Sequence, residues 1–291
     1  MTPETETPAL FRETAAERLE RIVLGTAWAL KPERLDTLPI LARLWLKDLL
    51  TRPQGLPDPR GSDHPFGLVG MVRELTPEAL LAAYRHGLYT FAHVGPLKWI
   101  STPTRAVLFL DEYHMGKRLR RLMRQDRYRV TFDQDFAGVI RACAGRREGK
   151  WHVTWITPRI MRAYAALFEA GHVHSFEVWN EAGALVGGGY GVALGEVFFT
   201  ESQFSREDNT SKLGFSVLNW HLAKWGYRVN DGKSMTPTIR EMNFREIPRD
   251  EFLALLDRHA TRGGKPGRWS VETDPKTVAA WEPGAVAVAA E

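Results

Sequence analysis

Two carboxylates stand where strand ends would present them for acid–base work. Glu201 closes a very apolar run, Val197-Phe198-Phe199, and Asp231 closes the next extended segment, one helix further along. In an α+β sheet crossed by that helix, both reach one cleft. A carboxylate beside aromatic rings there grips or deprotonates an amine. Either residue could equally cap a neighbouring turn. A second constellation is basic. Lys117, Arg118, Arg120, Arg121, Arg124, Arg127 and Arg129 fall within thirteen residues with Asp126 the lone acid, and Arg141, Arg146, Arg147 and Lys150 follow. A helix so charged repels itself unless an anionic polymer lies along it, so the run points to nucleic acid rather than to a solvated face.

Other candidate chemistries fall away. Gly187-Gly188-Gly189-Tyr190-Gly191 sits inside a hairpin strand and lacks the spacing of a dinucleotide loop, so its glycines are read as allowing close approach of a ligand or of backbone. A coenzyme A cradle needs a Gly-rich strand-to-helix turn, and that position reads Ser205-Arg206-Glu207-Asp208-Asn209. His172 and His174 share a strand face with no third ligand at useful spacing, which makes them structural. Neither G-x-S-x-G nor H-E-x-x-H occurs. Cys143 is the single cysteine of 291 residues, which excludes disulfides and thiolate clusters, and it reads as a core residue. The expectation is a protein with no metal and no cofactor. The net charge of +4 hides the basic run. Met1-Thr2-Pro3-Glu4-Thr5-Glu6 has no secretory character, and no apolar run of membrane-spanning length occurs, so a cytoplasmic location with no membrane partner is expected.

The elements that must hold these groups follow from periodicity and punctuation. Amphipathic helices are predicted over 8–29 and 32–50, then a Pro/Gly linker over 51–65. Thr76-Pro77-Glu78 opens a helix that Gly87 closes. A strand over Arg105–Leu110, the basic helix Tyr113–Asp126, a strand Tyr128–Phe132 and helices Asp135–Ala144 and Pro158–Ala170 come next. An antiparallel meander occupies His174–Trp179, Ala184–Val192 and Glu196–Thr200, with turns between. A helix over 210–226, a strand Tyr227–Asp231 and a helix Pro248–His259 complete the pattern. The fold class is α+β, with an order similar to acetyltransferases. The division is a helical N-terminal extension and linker (1–63), a small α/β domain with the basic helix (64–150), an acetyltransferase-like (GNAT-like) domain (151–262) and a loose tail (263–291).

Several segments resemble the leucyl/phenylalanyl-tRNA–protein transferases of bacteria. They include Ala83-Tyr84-Arg85-His86-Gly87, Thr104-Arg105-Ala106-Val107, Thr154-Trp155-Ile156-Thr157, His172 through Trp179, Val186 through Val192, Glu201-Ser202-Gln203-Phe204-Ser205-Arg206 and Glu246-Ile247-Pro248-Arg249. They run in family order over about residues 64–260. The resemblance implies transfer of a leucyl or phenylalanyl group from aminoacyl-tRNA to the α-amine of a protein acceptor, without coenzyme A. It implies that Asp231 is the catalytic acid residue, as base or orienter of the amine, and that Glu201 is the pocket carboxylate. Trp155 and Phe204, with Gly188, Gly189 and Ser211, would form the aminoacyl-adenosine site, and Lys117, Arg118, Arg120, Arg121 and Arg124 would hold tRNA. The resemblance also implies a role in protein degradation through N-terminal residues (N-degrons).

The chain departs from that family on the acceptor side. Two residues after Asp231 the family carries Gln, and here stands Lys233. On an extended strand the two would share a face, so a cation there would hold Asp231 in its charged form and repel an acceptor beginning with Arg or Lys. The loop Ser234–Arg245 lacks the family's His, and Tyr89-Thr90-Phe91 replaces Pro-Trp-Phe. An altered acceptor is expected. The alternatives are a non-catalytic tRNA-binding or RNA-binding relative and a transferase acting on a non-protein amine.

Overall fold

The computed structural model describes residues 11–146 and 153–284. Arg147 and Lys150 of the basic run, and the start of the first predicted helix, lie outside the described residues. The chain forms two compact units, Met1–Pro103 with Ala144–Ala166, and Thr104–Cys143 with Leu167–Glu291.

The first unit opens with α1 (Ala15–Ala29), started by a reciprocal cap: Glu17 N donates to Thr14 Oγ1, and the Glu17 carboxylate accepts Thr14 N at 2.8 Å. A 3-10 turn Pro32–Arg34 leads into α2 (Thr37–Thr51). Then come β1 (Leu68–Met71), α3 (Pro77–Arg85), β2 (Tyr89–Phe91) and β3 (Lys98–Ile100). The strands form an antiparallel sheet in the order β1-β3-β2. The predicted cap holds, since Ala79 N donates to Thr76 Oγ1 at 3.2 Å, and Gly87 takes φ 72°. Gly67 is obligatory: at φ 59° a Cβ would lie 2.2 Å from the Ser101 carbonyl oxygen.

The second unit contains β4 (Thr104–Phe109), α4 (Lys117–Met123), β5 (Tyr128–Phe132) and α5 (Phe136–Ala144). Helix α6 (Pro158–Glu169) follows, belonging mostly to the first unit. The second unit continues with β6 (Val173–Asn180), β7 (Leu185–Leu194), β8 (Val197–Ser205), α7 (Thr210–Lys224), β9 (Val229–Lys233), α8 (Pro237–Arg240), β10 (Arg245–Pro248), α9 (Arg249–His259) and α10 (Pro275–Val278). One seven-stranded sheet runs β10-β4-β9-β8-β7-β6-β5. Among the described strands only β8 and β9 pair parallel, because α7 carries the chain back across the sheet between them. Helix α7 is buried nearly all round, which matches its weak amphipathic pattern, and Gly214 brings it close to the sheet: a Cβ there would meet Phe176 and Val178 at 2.6 Å.

The mixed α+β class agrees with the sequence. The boundaries differ, because β4, α4 and β5 pair or pack with the large sheet instead of forming a separate unit with residues 64–103. The basic helix spans only Lys117–Met123, with Gly116 extended ahead of it at φ −65° and ψ 153°. The tail is a correction. Trp269, Val278, Ala279 and Trp281 belong to the main core, so four apolar anchors outweigh the Gly/Pro/Ala composition.

Candidate active site

The site grows from a break in the sheet. Parallel pairing of β8 with β9 covers Val197–Phe199 against Val229–Asp231 and stops there. Both strands are irregular just beyond. Against β7, Thr200 faces Gly191 and Ser202 faces Tyr190, so Glu201 is an extra residue. Against β4, Asp231 faces Val107 and Lys233 faces Ala106, so Gly232 is extra as well. Bulges of this kind re-aim side chains. Gly232 packs closely here, since a Cβ would sit 2.9 Å from the side-chain ends of Ile239 and Phe244, which would have to shift.

Four charged groups gather at this break. Asp231 accepts Arg105 Nε at 2.9 Å and Nη2 at 2.8 Å, a two-pronged ion pair with side chains 2% and 0% exposed. Asp231 Oδ1 also accepts Lys233 N at 2.8 Å. That bond fixes Lys233 in the left-handed region at φ 64°. The Lys233 side chain therefore does not run beside Asp231. Its Nζ donates to Glu201 Oε1 and to the Thr200 carbonyl, each at 2.6 Å. The expected shared face of 231 and 233 is thus lost to a bulge and a positive φ.

A buried amide chain supports the break from below. Thr200 Oγ1 donates to Asn230 Oδ1 at 2.8 Å, Asn230 Nδ2 to Asn219 Oδ1 at 2.9 Å, and Asn219 Nδ2 to the Phe215 carbonyl at 2.9 Å. It ties β8, β9 and α7 together and holds Thr200 beside Lys233. The guanidinium of Arg105 lies 4.5 Å from the Phe252 ring centre on α9. In the sequence Arg105 stands only within a predicted strand and within a segment resembling the family. The signal for it was a lone arginine in the apolar segment Ala106-Val107-Leu108.

The other expected residues fall into three groups. Phe204 is buried on β8 opposite Gly188, and the room a Cβ would need at Gly188 and Gly189 is filled by Phe176, Phe204 and Gln203 of this chain. Those glycines serve internal packing here. Ser211 opens α7, where its N donates to Ser205 Oγ at 3.0 Å. Trp155 belongs to the first unit, in an aromatic cluster with Phe91 at 6.1 Å and Tyr164 at 6.4 Å. His93 sits 4.7 Å from Phe91 and 4.3 Å from Trp28, and burial pushes its imidazole down to about 4.

The basic helix divides by function. Lys117, Arg118, Arg121 and Arg124 are exposed. Arg120 is not. Its Nη1 donates to the carbonyls of Ala279 and Trp281 at 2.9 Å and its Nε to that of Met115, so it fastens the C-terminal segment. A cavity of about 390 Å³ opens at the β5 edge, lined by Arg127, Tyr128, Arg129, Asn180 and Asp274 among others, three strands from β8. His174 pairs with Asp133 at 2.8 Å and stacks on Trp269 at 3.6 Å, a structural setting, and no cluster able to hold a metal occurs among the described residues. Cys143 is buried.

A sheet split at a parallel pair, with charged groups bridging the split, describes an α+β protein with a polar site at a strand break. The sequence model described as leucyl/phenylalanyl-tRNA protein transferase matches residues 107–257. The leucyl/phenylalanyl-tRNA–protein transferase of Pseudomonas syringae pv. syringae (strain B728a) is 46% identical over 196 residues, covering 67% of this chain and 85% of that relative. The one from Azotobacter vinelandii is 44% identical over 214 residues, covering 73% and 92%. A solved structure, L-PGS from Bacillus licheniformis, overlaps 60% of this chain and 62% of its own at 13% identity with a TM-score of 0.32, too distant to carry an argument. The chain belongs to the leucyl/phenylalanyl-tRNA–protein transferase family.

Proposed function

We propose that this protein transfers an aminoacyl group, leucyl or phenylalanyl in type, from tRNA to the α-amine of a protein or peptide. The observation that carries the reading is the charged cluster of Arg105, Asp231, Lys233 and Glu201 at the β8–β9 break, in a chain of this family. In the transfer, a bond forms between the acceptor nitrogen and the aminoacyl carbonyl carbon. The ester bond to the ribose oxygen breaks, and the proton leaving the nitrogen ends on that oxygen. The ester already stores the energy, so the protein's work is orientation and charge stabilisation.

Within this reading Asp231 is a positioning residue. Fully buried, with both oxygens occupied by Arg105 and one also by Lys233 N, it shapes the bend that presents Lys233 to Glu201. Glu201 and Lys233 face the reacting groups. Phe204 and Ser211 line the aminoacyl-adenosine site, and Lys117, Arg118, Arg121 and Arg124 engage tRNA phosphates. The acetyltransferase-like fold of the sheet unit, a role in N-degron turnover and a cytoplasmic location belong to the same proposal. No helix among the described residues is long and apolar enough to cross a membrane, which is compatible with it.

Mixing the protein with tRNA charged with labelled Leu or Phe and a set of peptides tests the reading. Label should appear on a peptide N-terminus, and Glu201→Gln should slow its appearance. Binding of charged tRNA with no transfer to any peptide would refute it.

A further inference from the structure

Glu201 is a buried carboxylate at the site, its side chain 2% exposed, and its charge is already met by an ammonium from the same chain. Lys233 Nζ lies 2.6 Å from Glu201 Oε1 and 2.6 Å from the Thr200 carbonyl, with only 12% of the side chain exposed. This placement is held from three sides. Asp231 grips the Lys233 amide, Arg105 grips Asp231, and Gly232 between them packs closely against Ile239 and Phe244. The amide chain through Asn230 and Asn219 fixes Thr200. The ammonium therefore already occupies the place beside Glu201 where that carboxylate would otherwise attract a cation.

We propose that the Lys233–Glu201 pair sets acceptor choice, and that the site takes the α-amine of a residue whose own side chain is uncharged or acidic. The inference rests on the aminoacyl transfer proposed above. A peptide beginning with Arg or Lys would bring a second cation to an ammonium tethered in place by two hydrogen bonds, and like charges so placed are disfavoured. Nor can such a peptide readily displace Lys233. The tethered ammonium competes at an effective concentration that a free peptide does not reach, and leaving would strip it of two hydrogen bonds. An acidic first residue meets no such opposition, since Lys233 offers it attraction.

The test compares kcat/KM for peptides identical except for their first residue: Arg, Lys, Ala, Ser, Asp and Glu. The wild-type protein, given leucyl-tRNA or phenylalanyl-tRNA, should favour Ala, Ser, Asp and Glu over Arg and Lys by about tenfold or more. Lys233→Gln should shift the ratio towards Arg and Lys by about tenfold, whereas Lys233→Arg should keep the wild-type order. Because Lys233→Gln leaves Glu201 without its cation, the paired change Lys233→Gln with Glu201→Gln is included, with melting temperatures for all. The double variant removes both charges and should lose the discrimination while remaining folded. A wild-type preference for Arg or Lys, or an unchanged ratio in both the single Lys233→Gln variant and the double variant, overturns the inference while leaving the transferase reading intact. Absence of transfer to every peptide removes both.

Discussion

At the scale of single residues, the molecule rests on a few buried charges whose partners are obligatory. Removing one member of a buried ion pair leaves the other uncompensated, whereas removing both is far milder. Arg105→Met should therefore destabilise the protein by about 3–5 kcal/mol in denaturant unfolding, and the double change Arg105→Met with Asp231→Asn should recover much of that. His93 gives a pH signature. Burial lowers its folded value to about 4 from the ordinary 6.5, so at pH between these values the unfolded chain binds the proton and the folded chain does not. Stability is then full above about 6.5 and falls as pH drops towards 4, by about 1–3 kcal/mol. Unfolding midpoints measured from pH 7 to 4 should show this slope, and His93→Phe should flatten it. Asp231 and Glu201 were legible in the sequence because acids terminating apolar strands are conspicuous. Arg105 was not, because its partner stands 126 residues further along the chain and no local pattern connects them. The route of the Lys233 side chain was hidden too, since strand alternation predicts the wrong face wherever a bulge intervenes.

At the scale of elements, the basic helix shows how one charge run serves two purposes. Replacing Arg118 and Arg121 by Ala should reduce the salt dependence of charged-tRNA binding, by a slope of about 1 to 2 when log affinity is plotted against log salt. Arg120→Ala should leave that slope alone and lower the melting temperature, because its guanidinium holds the carbonyls of Ala279 and Trp281. The long strands of the meander, β6 to β8, could be read from alternation and turn residues. Strands β2, β3 and β10 could not, being three or four residues long and too short to display a period. The charge run suggested a helix through Tyr113–Asp126, but charge says nothing of where a helix ends, and the extended Gly116 starts it only at Lys117. The N-terminal helices keep large apolar side chains in the open, with Trp45, Leu49 and Leu50 of α2 all more than half exposed. Those side chains fall where the sequence already showed an amphipathic pattern.

At the scale of the whole molecule, the large sheet is assembled from distant pieces of chain. Its core includes Trp269, Val278 and Trp281, so a chain ending at residue 262 should fail to give a cooperative unfolding transition, and Trp269→Ala in the full chain should cost about 3–5 kcal/mol. Circular dichroism melts would check both. Composition pointed to a loose tail, because four anchors among Gly, Pro and Ala are too sparse to register in an average. The same arrangement bears on synthesis. Strand β4 is made early, yet both its sheet neighbours, β9 and β10, emerge more than 120 residues later. At ribosomal speeds of about 5–20 residues per second, Arg105 waits roughly 6–25 seconds for Asp231 to be translated. Throughout that interval the β4 segment lacks both its final sheet neighbours, and Arg105 within it places a charge that disfavours pairing with another copy of the same segment.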